Sequence, residues 1–60
     1  MDYIDEGIKY IDEGIKKFIE NNGNIDEALA YLREASKKSK GTIAERAFIY
    51  ALGKLLQYKD

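Results

Sequence analysis

Two acidic pairs, Asp5-Glu6 and Asp12-Glu13, stand seven residues apart in this 60-residue chain. Paired carboxylates are what glycoside hydrolysis uses, but that chemistry needs the two groups about 5–9 Å apart across a cleft. Twins seven positions apart on one helix lie roughly 10 Å apart along its axis, with no opposing wall between them. A solvated acidic face is therefore the expected role, and no calcium-loop spacing accompanies the acids. The hydroxyl nucleophile candidates are Ser36, Ser39 and Thr42, and the chain has no histidine or cysteine to serve beside them. Lys37, Lys38 and Lys40 fall in a charged helix end, not in the desolvated pocket that a catalytic lysine needs. We expect no enzymatic activity, no catalytic residue, no cofactor and no bound metal.

One basic cluster remains, Arg33, Lys37, Lys38 and Lys40. Cations near a helix C-terminus complement its dipole, which is the plain explanation. The alternative is contact with an anion or a carboxylate on a partner. Nucleic acid is not the expected partner, because the whole chain carries ten basic against eleven acidic residues, and such binding favours a basic surface with interleaved exposed aromatics. Tyr3, Tyr10, Tyr31, Tyr50 and Tyr58 suit either the edge of a core or an interface, and core-edge packing is the expectation.

The elements that position these residues are legible from periodicity and caps. The heptad Tyr3-Ile4-Asp5-Glu6-Gly7-Ile8-Lys9 recurs unchanged as Tyr10-Ile11-Asp12-Glu13-Gly14-Ile15-Lys16. Seven residues are close to two helical turns, so Ile4, Ile8, Ile11, Ile15 and Phe18 share one stripe with Gly7 and Gly14. A glycine inside a helix costs about 1 kcal/mol relative to alanine. The expectation is that both glycines admit a neighbouring backbone, with Ala44, Ala47 and Ala51 as its source. Asp5 to Lys9, Asp12 to Lys16 and Glu13 to Lys17 are spaced for ion pairs along the same helix.

Asp2 with Asp5, Asn24 with Glu27, and Thr42 with Glu45 are start signals, in which a capping side chain is followed three positions later by a carboxylate. Asn22-Gly23 and Gly41 are stop signals. They predict helices over about 3–21, 25–40 and 43–58. The connections are short enough to force antiparallel neighbours. The expected fold is all-α, a single antiparallel three-helix domain spanning residues 1–60. The second helix has a narrow apolar stripe through Ile25, Ala28, Leu29, Leu32 and Ala35. The third is apolar over half its circumference, with Ile49 and Leu56 widening the face of Ala47, Phe48, Ala51, Leu52 and Leu55. Such a helix sits between two neighbours or leaves apolar surface exposed.

Residues 23–35, Gly-Asn-Ile-Asp-Glu-Ala-Leu-Ala-Tyr-Leu-Arg-Glu-Ala, resemble the turn and second helix of a tetratricopeptide repeat, with Ala28, Leu32 and Ala35 at its small, large and small packing positions. Residues 49–56, with Leu52-Gly53, resemble the first helix of a following repeat. The resemblance implies a helical-repeat unit of a peptide-binding solenoid. Lys16 and Asp12 depart from the glycine and tryptophan of the pattern, its proline is missing, and the spacing from Ala35 to Ile49 is too long.

The remaining composition excludes more than it assigns. Without cysteine there is no disulfide, and a cytoplasmic setting is expected. The acidic opening Met1-Asp2 is unlike a signal peptide, and the run Ala47 to Leu52 is far too short to cross a bilayer. The expected role is a non-enzymatic structural or protein–protein interaction module, self-associating as a homodimer through Ile49, Gly53 and Leu56, with Tyr50 at the rim. The rival readings are a designed or laboratory-evolved scaffold, and a small regulatory or nucleic-acid binder using Arg33 to Lys40.

Overall fold

The computed structural model describes residues 3–59, with side chains from residue 5 onward. Three helices account for most of them, α1 (Tyr3–Glu20), α2 (Ile25–Lys38) and α3 (Ile43–Tyr58), with no strand among the described residues. This is the expected all-α three-helix bundle, and the helix ends fall within two residues of the expected ones. The Asp2 cap lies outside the described residues.

Local chemistry explains each end. At the close of α1, the Gly23 amide donates to the Phe18 carbonyl at 2.9 Å and the Asn22 amide donates to that of Ile19 at 3.0 Å. These two bonds make a Schellman motif, and Asn22 takes the left-handed position with φ 60°. Gly23 serves differently, since the Phe18 ring lies where its Cβ would be. Asn24 then opens α2, its Oδ1 accepting from the Glu27 amide at 3.0 Å. Gly41, with φ 84°, turns the chain between α2 and α3.

Thr42 joins those two helices directly. Its hydroxyl donates to the Ser39 carbonyl at 2.6 Å and accepts from the Glu45 amide at 3.3 Å. Glu45 Oε1 in turn accepts from the Gly41 amide at 3.1 Å. In the usual capping box the acid reaches back to the amide of the cap residue itself. Here the Thr42 amide already donates to Ser39, and the acid serves the residue before it.

The core is small. Ile15, Leu29 and Leu55, one from each helix, are its buried residues, and Ile11, Phe18, Ile25, Leu32, Ala51 and Leu52 pack half-buried around them. Helix α3 packs most extensively on α2 and next on α1, while α1 and α2 scarcely approach each other. The breadth of the apolar face on α3 is thus used in both expected ways: it sits between two neighbours, and it still leaves Ile49 and Leu56 exposed. The result is a slab of 30 × 27 × 16 Å.

Two expectations for α1 are corrected. A Cβ added at Gly7 or Gly14 would meet nothing within 4 Å, so neither glycine admits a neighbouring backbone, and Ala44 is itself exposed. The stripe predicts which side of α1 turns inward, but the positions held by these glycines have no neighbour at contact distance. None of the three expected pairs along α1 closes either. Asp12 turns across to α3, with its Oδ1 3.8 Å from Lys54 Nζ. The remaining ion pairs among the described residues are Lys37 with Glu34, and Lys59 with Asp26.

Candidate functional site

The residues that could do chemistry are placed apart. The Ser36 hydroxyl donates to the Arg33 carbonyl at 2.9 Å, that of Ser39 donates to Ala35 at 2.7 Å, and that of Thr42 is engaged in the cap. All three are thus held by carbonyls of the preceding turn. No group of three or more acidic residues is placed to hold a metal ion among the described residues. Arg33, Lys37, Lys38 and Lys40 are all exposed. Arg33 and Lys37 are one turn apart on the same side of α2, and Glu34 lies 3.8 Å from Lys37. Lys38 projects a quarter turn or more away from Lys37 by helical register.

A titratable cluster does form, between α1 and α3. The Tyr50 hydroxyl donates to Asp12 Oδ1 at 2.9 Å, and Lys54 Nζ lies 5.9 Å from the centre of the Tyr50 ring. Partial burial, and then the hydrogen bond and negative charge of Asp12, push the Tyr50 phenol above its ordinary ionisation range, with Lys54 opposing the shift. The group therefore stays a neutral donor over the physiological range. It is a clasp between helices, with a depression of about 220 Å³ lined by Asp12, Ile15, Lys16, Lys54, Gln57 and Tyr58 beside it.

Two apolar surfaces remain. The first is the one expected on α3. Ile49 is 52% exposed and Leu56 46% exposed, and between them a Cβ at Gly53 would meet nothing within 4 Å. Together they make a low ridge. Tyr50, expected at its rim, is half-buried and turned to Asp12. The second surface was not foreseen in the sequence. Because α1 and α2 stand apart, an apolar groove of about 340 Å³ opens between them. Gly14, Ile15 and Phe18 form one wall, Ala28, Tyr31 and Leu32 the other, and Ala51 and Leu55 the floor. Tyr31 is 68% exposed on the lip. The only signal available was the small residue on each of the three elements, Gly14, Ala28 and Ala51, and a small residue reads equally well as close packing. The expectation of core-edge packing is corrected for Tyr10, Tyr31 and Tyr58, which are exposed, while Tyr50 is half-buried; the side chain of Tyr3 lies outside the described residues.

No helix among the described residues is long and apolar enough to cross a membrane. No protein-family model matches the chain, and no curated protein or solved structure matches it. The tetratricopeptide resemblance of residues 23–35 and 49–56 therefore gains no support, and the classification that stands is a small three-helix all-α domain.

Proposed function

We propose that this chain is a non-enzymatic helical interaction module that self-associates through the outer face of α3. The observation carrying this reading is an apolar strip with nowhere to go inside the monomer. Ile49 and Leu56 are half exposed on either side of an open Gly53. With Ile15, Leu29 and Leu55 as the buried core, a 60-residue chain has little internal stabilisation to spare, and association is a common supplement in so small a domain. The exposed cations of α2 favour an anionic partner less, because Glu34 lies close to Lys37.

Sedimentation equilibrium from low to high micromolar concentration tests the reading. The expected result is a mass that rises with concentration, and a Leu56→Lys variant that stays monomeric with the thermal stability of the dilute parent. A strictly monomeric parent at high micromolar concentration would defeat it.

A further inference from the structure

We infer that Asn22 is a site of spontaneous backbone modification, held silent by the turn that ends α1 and released when that turn opens. The pair Asn22-Gly23 supplies the reaction. The Gly23 nitrogen gives its proton to hydroxide and attacks Asn22 Cγ. The new N–Cγ bond closes a cyclic imide, the Cγ–Nδ2 bond breaks, and the departing nitrogen takes a proton from water and leaves as ammonia. Water then opens the imide at either carbonyl. Opening at Cγ leaves an aspartate. Opening at the main-chain carbonyl leaves an isoaspartate, whose β-carbon has become part of the main chain. In sum, water is taken up and ammonia lost, with no change of oxidation state. Glycine offers no side chain to obstruct the attacking nitrogen. The other asparagines lack this advantage: Asn21 is followed by Asn22, and Asn24 by the β-branched Ile25.

The folded turn opposes the attack. Asn22 is exposed, so water and hydroxide reach it, and conformation is what restrains it. It sits in the left-handed region, with φ 60°. An ideal residue there has ψ of about +47°, which puts the following nitrogen nearly opposite the side chain across the Cα–C bond. Imide closure needs the two on the same side, so that bond must turn through roughly half a rotation. The rotation pulls the Gly23 amide off the Phe18 carbonyl, to which it donates at 2.9 Å. The same hydrogen bond favours the neutral amide over the anion that attacks. The Phe18 ring also lies where a Cβ at Gly23 would be, and it packs against the core. Opening of the turn is thereby tied to the docking of α1. The products then differ in what they leave behind. Aspartate visits the left-handed region as asparagine does, so the turn can re-form. Isoaspartate inserts an atom between the amides of residues 22 and 23, which cannot then both return to the carbonyls of Ile19 and Phe18 in the same geometry. Isoaspartate at this position is a lasting record that the turn has opened.

The test follows the whole chain at mildly alkaline pH and fixed temperature, with and without enough urea to unfold it. Peptide mapping by mass spectrometry locates the exchange of NH2 for OH, and an isoaspartate methyltransferase assay counts the isoaspartate. In urea we expect Asn22 to convert, mostly to isoaspartate, with Asn21 and Asn24 unchanged over the same interval. The native chain should convert at least about tenfold more slowly, the protection given by an opening free energy of about 1.4 kcal/mol. Phe18→Leu should speed the native reaction and leave the rate in urea unchanged. The isoaspartate form, separated by chromatography, should melt below Asn22→Asp, whose main chain has the ordinary length. Equal rates with and without urea overturn the gating. No conversion of Asn22 in urea, or conversion of Asn21 or Asn24 as fast, overturns the site. A native Phe18→Leu rate equal to that of the parent overturns the part assigned to the ring. An isoaspartate form as stable as Asn22→Asp overturns the loss of the turn.

Discussion

The Tyr50 hydroxyl donates to Asp12 Oδ1 at 2.9 Å, tying together residues 38 positions apart. It is the side-chain hydrogen bond by which α1 is held to α3 among the described residues. Removing the hydroxyl with Tyr50→Phe leaves the ring in place and takes from Asp12 its hydrogen-bond donor, with Lys54 Nζ still 3.8 Å away. The variant should unfold at a lower urea concentration than the parent, with the slope of the transition unchanged.

The same pair gives a pH dependence whose sign is fixed. The phenol is held above its ordinary value of about 10 in the folded state. Between the two values the folded chain therefore binds more protons than the unfolded one, so stability falls as pH rises. The contribution is fully present below about pH 10 and is lost as pH climbs through the folded value. The informative quantity is the difference between parent and Tyr50→Phe, which should shrink as alkaline pH is raised. A difference that is flat with pH would mean that the phenol is unperturbed.

At the junction of α2 and α3, Thr42 both receives the Glu45 amide and donates to Ser39. Thr42→Ala should cost about 1 kcal/mol, the middle of the range for a lost cap. A urea midpoint measured at fixed protein concentration checks this, since association would otherwise shift it.

Gly7 and Gly14 should behave alike, and oppositely to what their place on an apolar stripe implies. With nothing within 4 Å of an added Cβ, alanine brings helix propensity without a clash. Each substitution should raise stability by up to about 1 kcal/mol, read as a higher melting temperature, and the two should add, because the sites are distant from each other.

Gly23 is the contrasting glycine. The Phe18 ring occupies the space its Cβ would need, and Phe18 is packed against the core. Gly23→Ala must displace that ring or open the Schellman turn, and a loss of about 1–3 kcal/mol is expected. An unchanged melting temperature would mean that the ring moves aside freely.

These glycines mark where the sequence could be read and where it could not. Helix ends depend on residues within four positions of each other, so Asn24 with Glu27, Thr42 with Glu45, and the turn at Gly41 were legible, and the helices followed. The excess apolar width of α3 was legible too, because Ile49 and Leu56 lie outside any stripe that one neighbour covers. What faces a given position is a long-range fact. The heptad copy identifies the inward side of α1 but does not reveal that Gly14 borders a groove or that Phe18 folds over Gly23. Asp12 illustrates the same limit: Lys16 was the local partner on offer, and Tyr50 and Lys54, brought near by the bundle, took its place.

The duplicated heptad makes the docking of α1 ambiguous by composition. Sliding the helix by seven residues moves it about 10.5 Å and turns it only about 20° short of two full rotations, so Asp5 and Ile8 would replace Asp12 and Ile15 without changing residue type. Past the copy the ambiguity ends, because Asp12 would then stand in the place of Ile19. The link at Asn21–Asn24 imposes the same choice mechanically. Four residues reach about 14 Å at full extension, and these four are folded back by the bonds from Asn22 and Gly23. A slid helix would have to pull that turn nearly straight. The short tether therefore works as an indexing stop, selecting one of two nearly equivalent alignments that the repeated side chains cannot tell apart.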